Sequence, residues 1–258
     1  MDLSRAKRGA SWVRRNVEIS SMLVLALSVA AVWAFAELAD AVLEGATRDL
    51  DRDLLLLLRT PGDLSDPIGP PLLEEIGRDL TALGGVIVLT MTTLAVAGFF
   101  LLQGKIRSTI FLFCAVGGGI LISGIAKEAF SRPRPDLVPH GSIVHTASFP
   151  SGHSMMAAVT YLALGVLVAR VVPLRRLKVY VLSVATTITI LVGVSRVYLG
   201  VHWPTDVLAG WLAGVGWAVI CLIAARLLAL RGHVEPHADE DDSDPRSARE
   251  TRARAGGD

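Results

Sequence analysis

The feature that most limits the fold of this chain is a series of long apolar runs that recur through most of its length. About 20 apolar residues are enough for an α-helix to cross the hydrocarbon of a bilayer, and the runs reach that length. Of the 258 residues, 52% are hydrophobic and 19% are charged, whereas about a quarter of the residues of a soluble domain are charged. The sequence therefore predicts an all-α, polytopic membrane protein.

Six runs are predicted to span the membrane. They cover residues 19–42, 83–102, 108–126, 151–172, 179–194 and 204–230. Residues 1–18 are basic, and the apolar run that follows has no small-residue cleavage site. We therefore expect a retained first helix rather than a removed signal peptide, and one membrane domain over residues 19–230.

Basic residues fall on alternate connections between these helices. The N-terminal segment, the loop after the second helix and the loop after the fourth helix are rich in Lys and Arg. Cytoplasmic loops carry such an excess, and with six helices all three lie on one side together with the C-terminus. We predict cytoplasmic termini, and an extracytoplasmic face formed by the loops after the first, third and fifth helices.

Two segments lie outside the predicted spans. Residues 43–80 are acidic and are interrupted by Pro61-Gly62 and Pro70-Pro71, which predicts short pieces, one of them a helix lying in the membrane interface. Residues 231–258 contain almost no large apolar residues and are predicted to form a disordered cytoplasmic tail. Cys114 and Cys221 lie in apolar runs, so buried thiols are expected rather than a disulfide.

Residues that suit phosphate binding stand at the outer edges of three predicted helices. Lys127, Arg134 and Arg196 are cations; Arg can hold a phosphate through two parallel hydrogen bonds, and Lys acts as a point charge. Ser151 and Gly152 open the fourth helix, where unpaired backbone N–H groups bind anions. Together these residues predict a cradle for a tetrahedral oxyanion.

Two histidines and a carboxylate beside this cradle indicate catalysis. Asp206 follows His202 by one helical turn, and a carboxylate on one imidazole nitrogen raises the basicity of the other. His202 is then suited to attack phosphorus, and His153 is suited to protonate the leaving oxygen. The cations would stabilise the transferring phosphoryl group. No Cys and His spacing typical of a metal site occurs in the sequence, and no cofactor is predicted.

Each residue also has a simpler interpretation when it is taken alone. Lys127 is typical of a helix-end lysine that reaches the interface. Ser151 and His153 are compatible with a helix cap. His202-Trp203-Pro204 is compatible with an interfacial aromatic belt. A function is indicated only by the joint occurrence of these residues on one predicted face.

The order and spacing of these residues resemble the three-part signature of the type 2 phosphatidic acid phosphatase (PAP2) superfamily, membrane lipid phosphatase branch. Its parts are here Lys127 with Arg134-Pro135, then Pro150-Ser151-Gly152-His153, then Ser195-Arg196 with His202 and Asp206. The resemblance implies a metal-independent phosphatase with a phosphohistidine on His202 and protonation by His153. It also implies a phosphate site formed by Lys127, Arg134, Ser151, Gly152 and Arg196.

Three other polar residues of the same region match no position of this signature. Arg132 is interpreted as a loop residue that contacts lipid headgroups or has no role. His140 and His145 are interpreted as loop residues.

A site at the extracytoplasmic membrane surface predicts a lipidic leaving group. We expect a protein of the bacterial plasma membrane that acts on an isoprenoid diphosphate, with undecaprenyl diphosphate as first choice and phosphatidate or phosphatidylglycerophosphate next. The signature is equally compatible with lipid A-type phosphates. The alternatives are a lipid phosphotransferase and a non-enzymatic protein that binds or transports lipid phosphates. Lipid phosphate and membrane lipids are the expected partners, and nucleic acid is not.

Overall fold

The computed structural model of the protein describes residues 3–136 and 147–230. Eight helices and one two-stranded hairpin make up this part of the chain. In order, they are α1 (Leu3–Glu44), α2 (Arg48–Leu56), β1 (Arg59–Thr60), β2 (Asp63–Pro67), α3 (Pro71–Ala82), α4 (Val86–Leu102), α5 (Ile106–Ala129), α6 (Gly152–Val171), α7 (Arg175–Tyr198) and α8 (Pro204–Leu230).

Several of these helices are suited to cross a membrane. In α1 the qualifying stretch is Val24–Glu44, and α5, α6, α7 and α8 also qualify by length and hydropathy. Helices α3 and α4 are bent by 50° at a short break and pass the same test as a pair. The described chain thus has five candidate spans, or six if the bent pair is one span. This confirms a mostly helical membrane protein, and the side on which each loop lies stays a prediction.

Three helices, α1, α5 and α7, extend beyond the predicted apolar runs. Helix α7 begins at Arg175 and ends at Tyr198, so Arg196 lies in its last turn. Helix α5 ends at Ala129 and carries Lys127 in its last turn. Helix α1 begins at Leu3 and includes the basic segment. Long cationic side chains can reach polar surroundings from a helix end, so hydropathy alone underestimates helix length.

Helix α6 is the centre of the bundle, packed against α5, α7 and α8. Small residues allow this close approach: a Cβ added to Gly119 of α5 would lie 2.7 Å from Val159, and one added to Gly214 of α8 would lie 2.5 Å from Ala158. Helices in a bilayer associate largely through such close packing. The rim carries outward-facing apolar side chains, with Leu102 92% exposed, and hydrocarbon is the natural solvent for them.

The acidic segment after α1 forms α2, the hairpin and α3. The sequence predicted short pieces here but not the hairpin, whose strands pair antiparallel around a turn at Pro61-Gly62. Gly62 has φ +97°, a conformation that favours glycine. The buried Arg59 of β1 donates to the carbonyl of Tyr198 at 2.6 Å and so ties the hairpin to the end of α7.

Cys114 and Cys221 are free thiols rather than a disulfide; Cys221 is buried as predicted, whereas Cys114 is exposed, so the prediction of a buried thiol is wrong there. His140 and His145 lie outside the described residues, as does the predicted tail over residues 231–258.

Candidate active site

Three helix ends meet at one end of the bundle and bring the predicted cations together. Lys127 comes from the last turn of α5, Arg196 from the last turn of α7, and Arg134 from the segment that follows α5. The charges of Arg134 and Arg196 both act on Lys127. The predicted phosphate-binding cations therefore share one location, although they come from three separate segments.

The first turn of α6 lies against this cation cluster. A Cβ added to Gly152 would lie 3.0 Å from Lys127 Nζ, so the ammonium group stands directly over the backbone of this turn. Ser151 precedes the helix, and its N–H donates to the carbonyl of Asp206 at 2.9 Å. Its hydroxyl accepts from Ser154 at 2.9 Å and makes no side-chain cap. The positive end of α6 is thus aimed at the cluster.

Arg196 is held in a way that leaves part of its guanidinium unsatisfied. Its Nη1 donates to Thr81 Oγ1 of α3 at 2.9 Å, while its Nε is buried and has no hydrogen-bond partner. A buried donor without a partner is costly, and a phosphate oxygen is the kind of acceptor that would satisfy it. Thr81 was not singled out from the sequence, because it lies 115 residues from Arg196.

His202 is buried and faces Arg134. Arg134 Nη1 lies 3.3 Å from His202 Nε2 and also donates to the carbonyl of Val201 at 3.0 Å. A guanidinium can only donate hydrogen bonds, so Nε2 must be the acceptor and the proton of the neutral ring lies on Nδ1. The nitrogen that faces the cations therefore carries the free electron pair.

The other ring nitrogen of His202 faces a carboxylate and a hydroxyl. Nδ1 lies 3.4 Å from Asp206 Oδ2 and 3.3 Å from Ser148 Oγ. The buried Ser148 hydroxyl also makes a short hydrogen bond to Asp206 Oδ2 and so bridges the two residues. The structure brings His202 and Asp206 together as their spacing predicts. Ser148, which the sequence analysis missed, lies only two residues before the Pro150 motif.

Burial lowers the pKa of His202 to about 4, and the nearby charges of Arg196 and Arg134 act in the same direction. Asp206 acts in the opposite direction through its hydrogen bond and its charge. The net result is an imidazole that stays neutral at physiological pH, which is the form able to act as a nucleophile.

His153 lies in the first turn of α6, within the same group of charges. Arg196, His202, Lys127 and Arg134 all act on it electrostatically. Its carbonyl lies beside Gly84, at the break between α3 and α4, where an added Cβ would come within 3.1 Å. All eight predicted site residues are therefore gathered in one region.

Arg132 is also part of this region and has specific protein contacts, unlike its interpretation as a loop residue that contacts lipid headgroups or has no role. Its guanidinium lies 2.6 Å from Asp206 Oδ1 and 2.6 Å from Asp51 Oδ2. A residue before proline favours extended backbone, and residues two apart in extended backbone share a face. The run Arg132-Pro133-Arg134-Pro135 therefore predicts two guanidinium groups on one face, where Arg132 reaches Asp206 and Arg134 reaches His202.

The part of the chain that carries these residues is similar to known proteins. A sequence model of the PAP2 superfamily matches residues 107–228. Phosphatidylglycerophosphatase B of Bacillus subtilis is 38% identical over 152 residues, which cover 57% of this chain and 73% of the relative. The chain belongs to the PAP2 superfamily. A lipid A 1-phosphatase of Rhizobium etli is 30% identical over 63% of this chain and 75% of its own length.

The fold is similar to that of a solved PAP2 protein as well. The crystal structure of a transmembrane PAP2 type phosphatidylglycerolphosphate phosphatase from Bacillus subtilis superposes with a TM-score of 0.71 and 30% identity, over 78% of this chain and 96% of that one. This chain is thus a PAP2-type phosphatase in an integral membrane frame. The PAP2 match includes every predicted site residue, whereas Thr81 and Asp51 lie before it.

An apolar cavity of about 470 Å³ leads away from this PAP2 site between α4 and α5. Lys127, Gly152 and His153 line its inner end. The remainder of its wall is mostly apolar and includes Leu89, Leu94, Phe113, Val116, Gly117 and Ile120. The cavity therefore joins the group of charges to a surface suited to a hydrocarbon chain.

Proposed function

We propose that this PAP2 phosphatase removes the terminal phosphate of a membrane lipid through a phosphohistidine on His202. The observation that carries the proposal is the 3.3 Å contact between Arg134 Nη1 and His202 Nε2. It places a donor suited to phosphate beside the ring nitrogen that carries the free electron pair. A phosphate bound to Arg134 would therefore present its phosphorus to the nucleophile.

The phosphate would be held by charge and by backbone donors together. We assign this role to Lys127, Arg134, Ser151, Gly152 and Arg196. Arg196 supports the assignment because its buried Nε has no hydrogen-bond partner. The close approach of Lys127 Nζ to Gly152 supports it too, since ammonium and helix N-terminus then face the same oxygen atoms. Fixed donors of this kind stabilise the charge that spreads over the equatorial oxygens.

The reaction then has two steps. In the first, His202 Nε2 attacks phosphorus, the bond from phosphorus to the lipid oxygen breaks, and His153, which must be an imidazolium for this step, gives its proton to that oxygen. In the second, His153 accepts a proton from water, the hydroxide attacks phosphorus, and the phosphorus–nitrogen bond breaks. Inorganic phosphate leaves and His202 is neutral again. Asp206 holds the Nδ1 proton of His202 throughout both steps.

The apolar cavity supports a lipid as the substrate. It begins at Lys127 and Gly152 and continues between α4 and α5 along an apolar wall, so a chain can lie there while its phosphate reaches the cations. Two lipids are the preferred candidate substrates. Phosphatidylglycerophosphate is the substrate implied by the names of the similar Bacillus subtilis proteins, and undecaprenyl diphosphate is the first choice from the sequence.

The orientation is also part of the proposal. The basic loops after the second and fourth predicted helices support a cytoplasmic position for those loops and for both termini in the bacterial plasma membrane. The site at the opposite helix ends then faces the extracytoplasmic side. In a protein whose native Cys114 and Cys221 are replaced by serine, a single cysteine placed in α2 is labelled in intact cells by a membrane-impermeant maleimide. Labelling only after lysis would contradict this orientation.

Phosphate release from a panel of lipids tests the function. The purified protein in mixed micelles is given phosphatidylglycerophosphate, undecaprenyl diphosphate, phosphatidate and a lipid A 1-phosphate, with a folded His202→Ala variant beside it. We expect phosphate release from at least one lipid, and none from His202→Ala. Turnover retained in His202→Ala would remove His202 as nucleophile. Consumption of lipid without inorganic phosphate would indicate transfer to another acceptor, the phosphotransferase reaction.

A further inference from the structure

A buried chain of charges extends from the PAP2 site to helix α2. Arg132 lies between two carboxylates, with Nη1 2.6 Å from Asp206 Oδ1 and Nη2 2.6 Å from Asp51 Oδ2. Asp51 and Asp206 are fully buried, and the Arg132 side chain is 12% exposed. Such pairs are sensitive to the loss of one partner, because a charge is then left buried without compensation.

Asp51 also holds the start of α8. Its Oδ1 accepts from the backbone N–H of Thr205 at 2.9 Å, and its Oδ2 accepts from the Thr205 hydroxyl at 2.6 Å. Thr205 directly precedes Asp206 in the first turn of α8. Asp51 thus accepts hydrogen bonds from Thr205, which precedes Asp206 in the chain, and from Arg132, which binds the Asp206 carboxylate.

The Asp206 carboxylate is divided between two directions. Its Oδ1 faces Arg132, whereas its Oδ2 faces the His202 side, where Ser148 and the backbone N–H of Trp203 also donate to it. Both Arg132 nitrogens that point at carboxylates are occupied, so Asp206 and Asp51 share the pull of one guanidinium. Without Asp51, Arg132 would keep its contacts with Asp206, Thr205 and Thr47 but lose one of the two carboxylates that now hold it in place.

We propose that Asp51, on a helix outside the PAP2 match, is a positioning residue for His202 that acts through Arg132 and Asp206. The inference rests on the proposed role of His202 as nucleophile. Asp51 does not touch the phosphate; it fixes the place and charge of the carboxylate that orients the ring. It also makes α2 part of the catalytic apparatus rather than a passive interfacial helix.

The charge of Asp51 predicts the direction in which its removal shifts the pH profile. Two carboxylates and one guanidinium leave the array with one net negative charge, and Asp51→Asn would leave it neutral. The other charged or titratable groups around His202 are Arg134, Arg196 and His153, and the variant keeps all of them. Less negative charge near the ring disfavours imidazolium, so the acid limb of the pH profile should move to lower pH.

The experiment compares Asp51→Asn with Asp53→Asn, which removes the same charge from an exposed position of the same helix. For Asp51→Asn we expect kcat to fall at least about tenfold, the lower end of the effect seen when groups that orient a metal-bound imidazole are removed. KM should stay within about twofold, because the phosphate ligands are intact. Asp53→Asn should match the wild type in kcat, KM and pH profile.

Arg132→Lys is the second test variant. It keeps the positive charge, but an ammonium is a point charge and cannot bridge two carboxylates as a guanidinium does. We expect the same loss of kcat and a double variant with Asp51→Asn that is no worse than the more affected single variant. Arg132→Lys carries the test if Asp51→Asn does not purify as a folded protein.

Unchanged kcat and pH profile in a folded Asp51→Asn or Arg132→Lys protein would overturn the inference. So would an equal loss in Asp53→Asn, since the effect would then be one of general charge. His202→Ala in the same assay separates the two hypotheses. If His202→Ala still turns over substrate, the proposed function is contradicted. If His202→Ala is inactive and Asp51→Asn has the wild-type rate, only the role of Asp51 is contradicted.

Discussion

Arg134 and His202 are in direct contact, with the guanidinium Nη1 3.3 Å from the ring Nε2. Because a guanidinium cannot accept a hydrogen bond, this contact determines the tautomer of the ring. A bound phosphate would take over the donors of Arg134 and leave Nε2 facing phosphorus. Under the proposed function, this one contact would prepare both the binding of phosphate and the attack on it.

Activity should persist to an unusually acidic pH for a histidine nucleophile. Burial lowers the pKa of His202 to about 4, whereas an unperturbed imidazole has a pKa of about 6.5. The nucleophile is active when neutral, so the loss caused by its protonation should be centred near pH 4. The measurement is kcat/KM as a function of pH. A loss of activity on acidification that is centred near pH 6.5 would contradict the prediction.

The same shift links pH to stability. Between about pH 6.5 and pH 4 the unfolded chain binds a proton at His202 that the folded chain does not bind. The contribution of His202 to stability is thus present above pH 6.5 and is lost as the pH falls toward 4. Thermal unfolding in detergent across this range should show a smaller pH dependence in a folded His202→Ala protein than in the wild type.

Ser148→Ala should lower kcat about tenfold or more. It removes the hydroxyl that bridges His202 Nδ1 and Asp206 Oδ2, and a hydrogen bond to a charged group contributes about 1.5–3 kcal/mol. KM should change little. Ser28→Ala, at a buried serine of α1, is the matched control. A wild-type kcat in a folded Ser148→Ala protein would show that Asp206 orients the ring without it.

Gly152→Ala should weaken substrate binding. The new Cβ would lie 3.0 Å from Lys127 Nζ and displace the ammonium from the first turn of α6. We expect KM to rise about tenfold or more, as for the loss of one charge-assisted contact. Gly124→Ala on α5, where an added Cβ meets no atom within 4 Å, is the control. Equal KM values in the two variants would remove Gly152 from the binding site.

Gly117→Leu should separate lipid substrates from soluble ones. Gly117 lines the apolar cavity, and an added Cβ meets no atom within 4 Å, so a larger side chain can occupy the space. KM for a long-chain lipid phosphate should rise, whereas hydrolysis of a short water-soluble phosphate ester should be unchanged. Gly98→Leu on α4, outside the cavity, should alter neither. Equal effects on both substrates would contradict a role of this cavity in chain binding.

Activity should survive EDTA and be inhibited by vanadate. The positive charge of the site comes from Lys127, Arg134 and Arg196, and no group of three side chains able to hold a metal ion occurs within residues 3–136 and 147–230. Vanadate imitates the trigonal-bipyramidal transition state, which an enzyme binds more tightly than substrate. Activity lost in EDTA and restored by a divalent ion, or insensitivity to vanadate, would contradict the mechanism.

The sequence predicted those parts of the site that depend on short spacing. His202 and Asp206 are four residues apart, and the start of α6 follows directly from Ser151 and Gly152. The rest depends on tertiary packing between distant positions. Asp51 and Arg132 are 81 residues apart, and Thr81 and Arg196 are 115 apart, so no local pattern joins them. The hairpin was missed because its strands are short and polar and its turn stands in an acidic segment.

Helix α4 has 17 residues, which span about 25 Å at the α-helical rise, a little less than the roughly 30 Å of bilayer hydrocarbon. Its first turn follows Gly84, where an added Cβ would lie 3.1 Å from the carbonyl oxygen of His153. Under the proposed function, with the tail in the cavity between α4 and α5, the reacting group of a lipid would arrive by lateral diffusion and no work of extraction would be needed. For such an enzyme the effective substrate concentration is the mole fraction of the lipid in the membrane, and dilution with inert lipid should slow it as dilution with water slows a soluble enzyme.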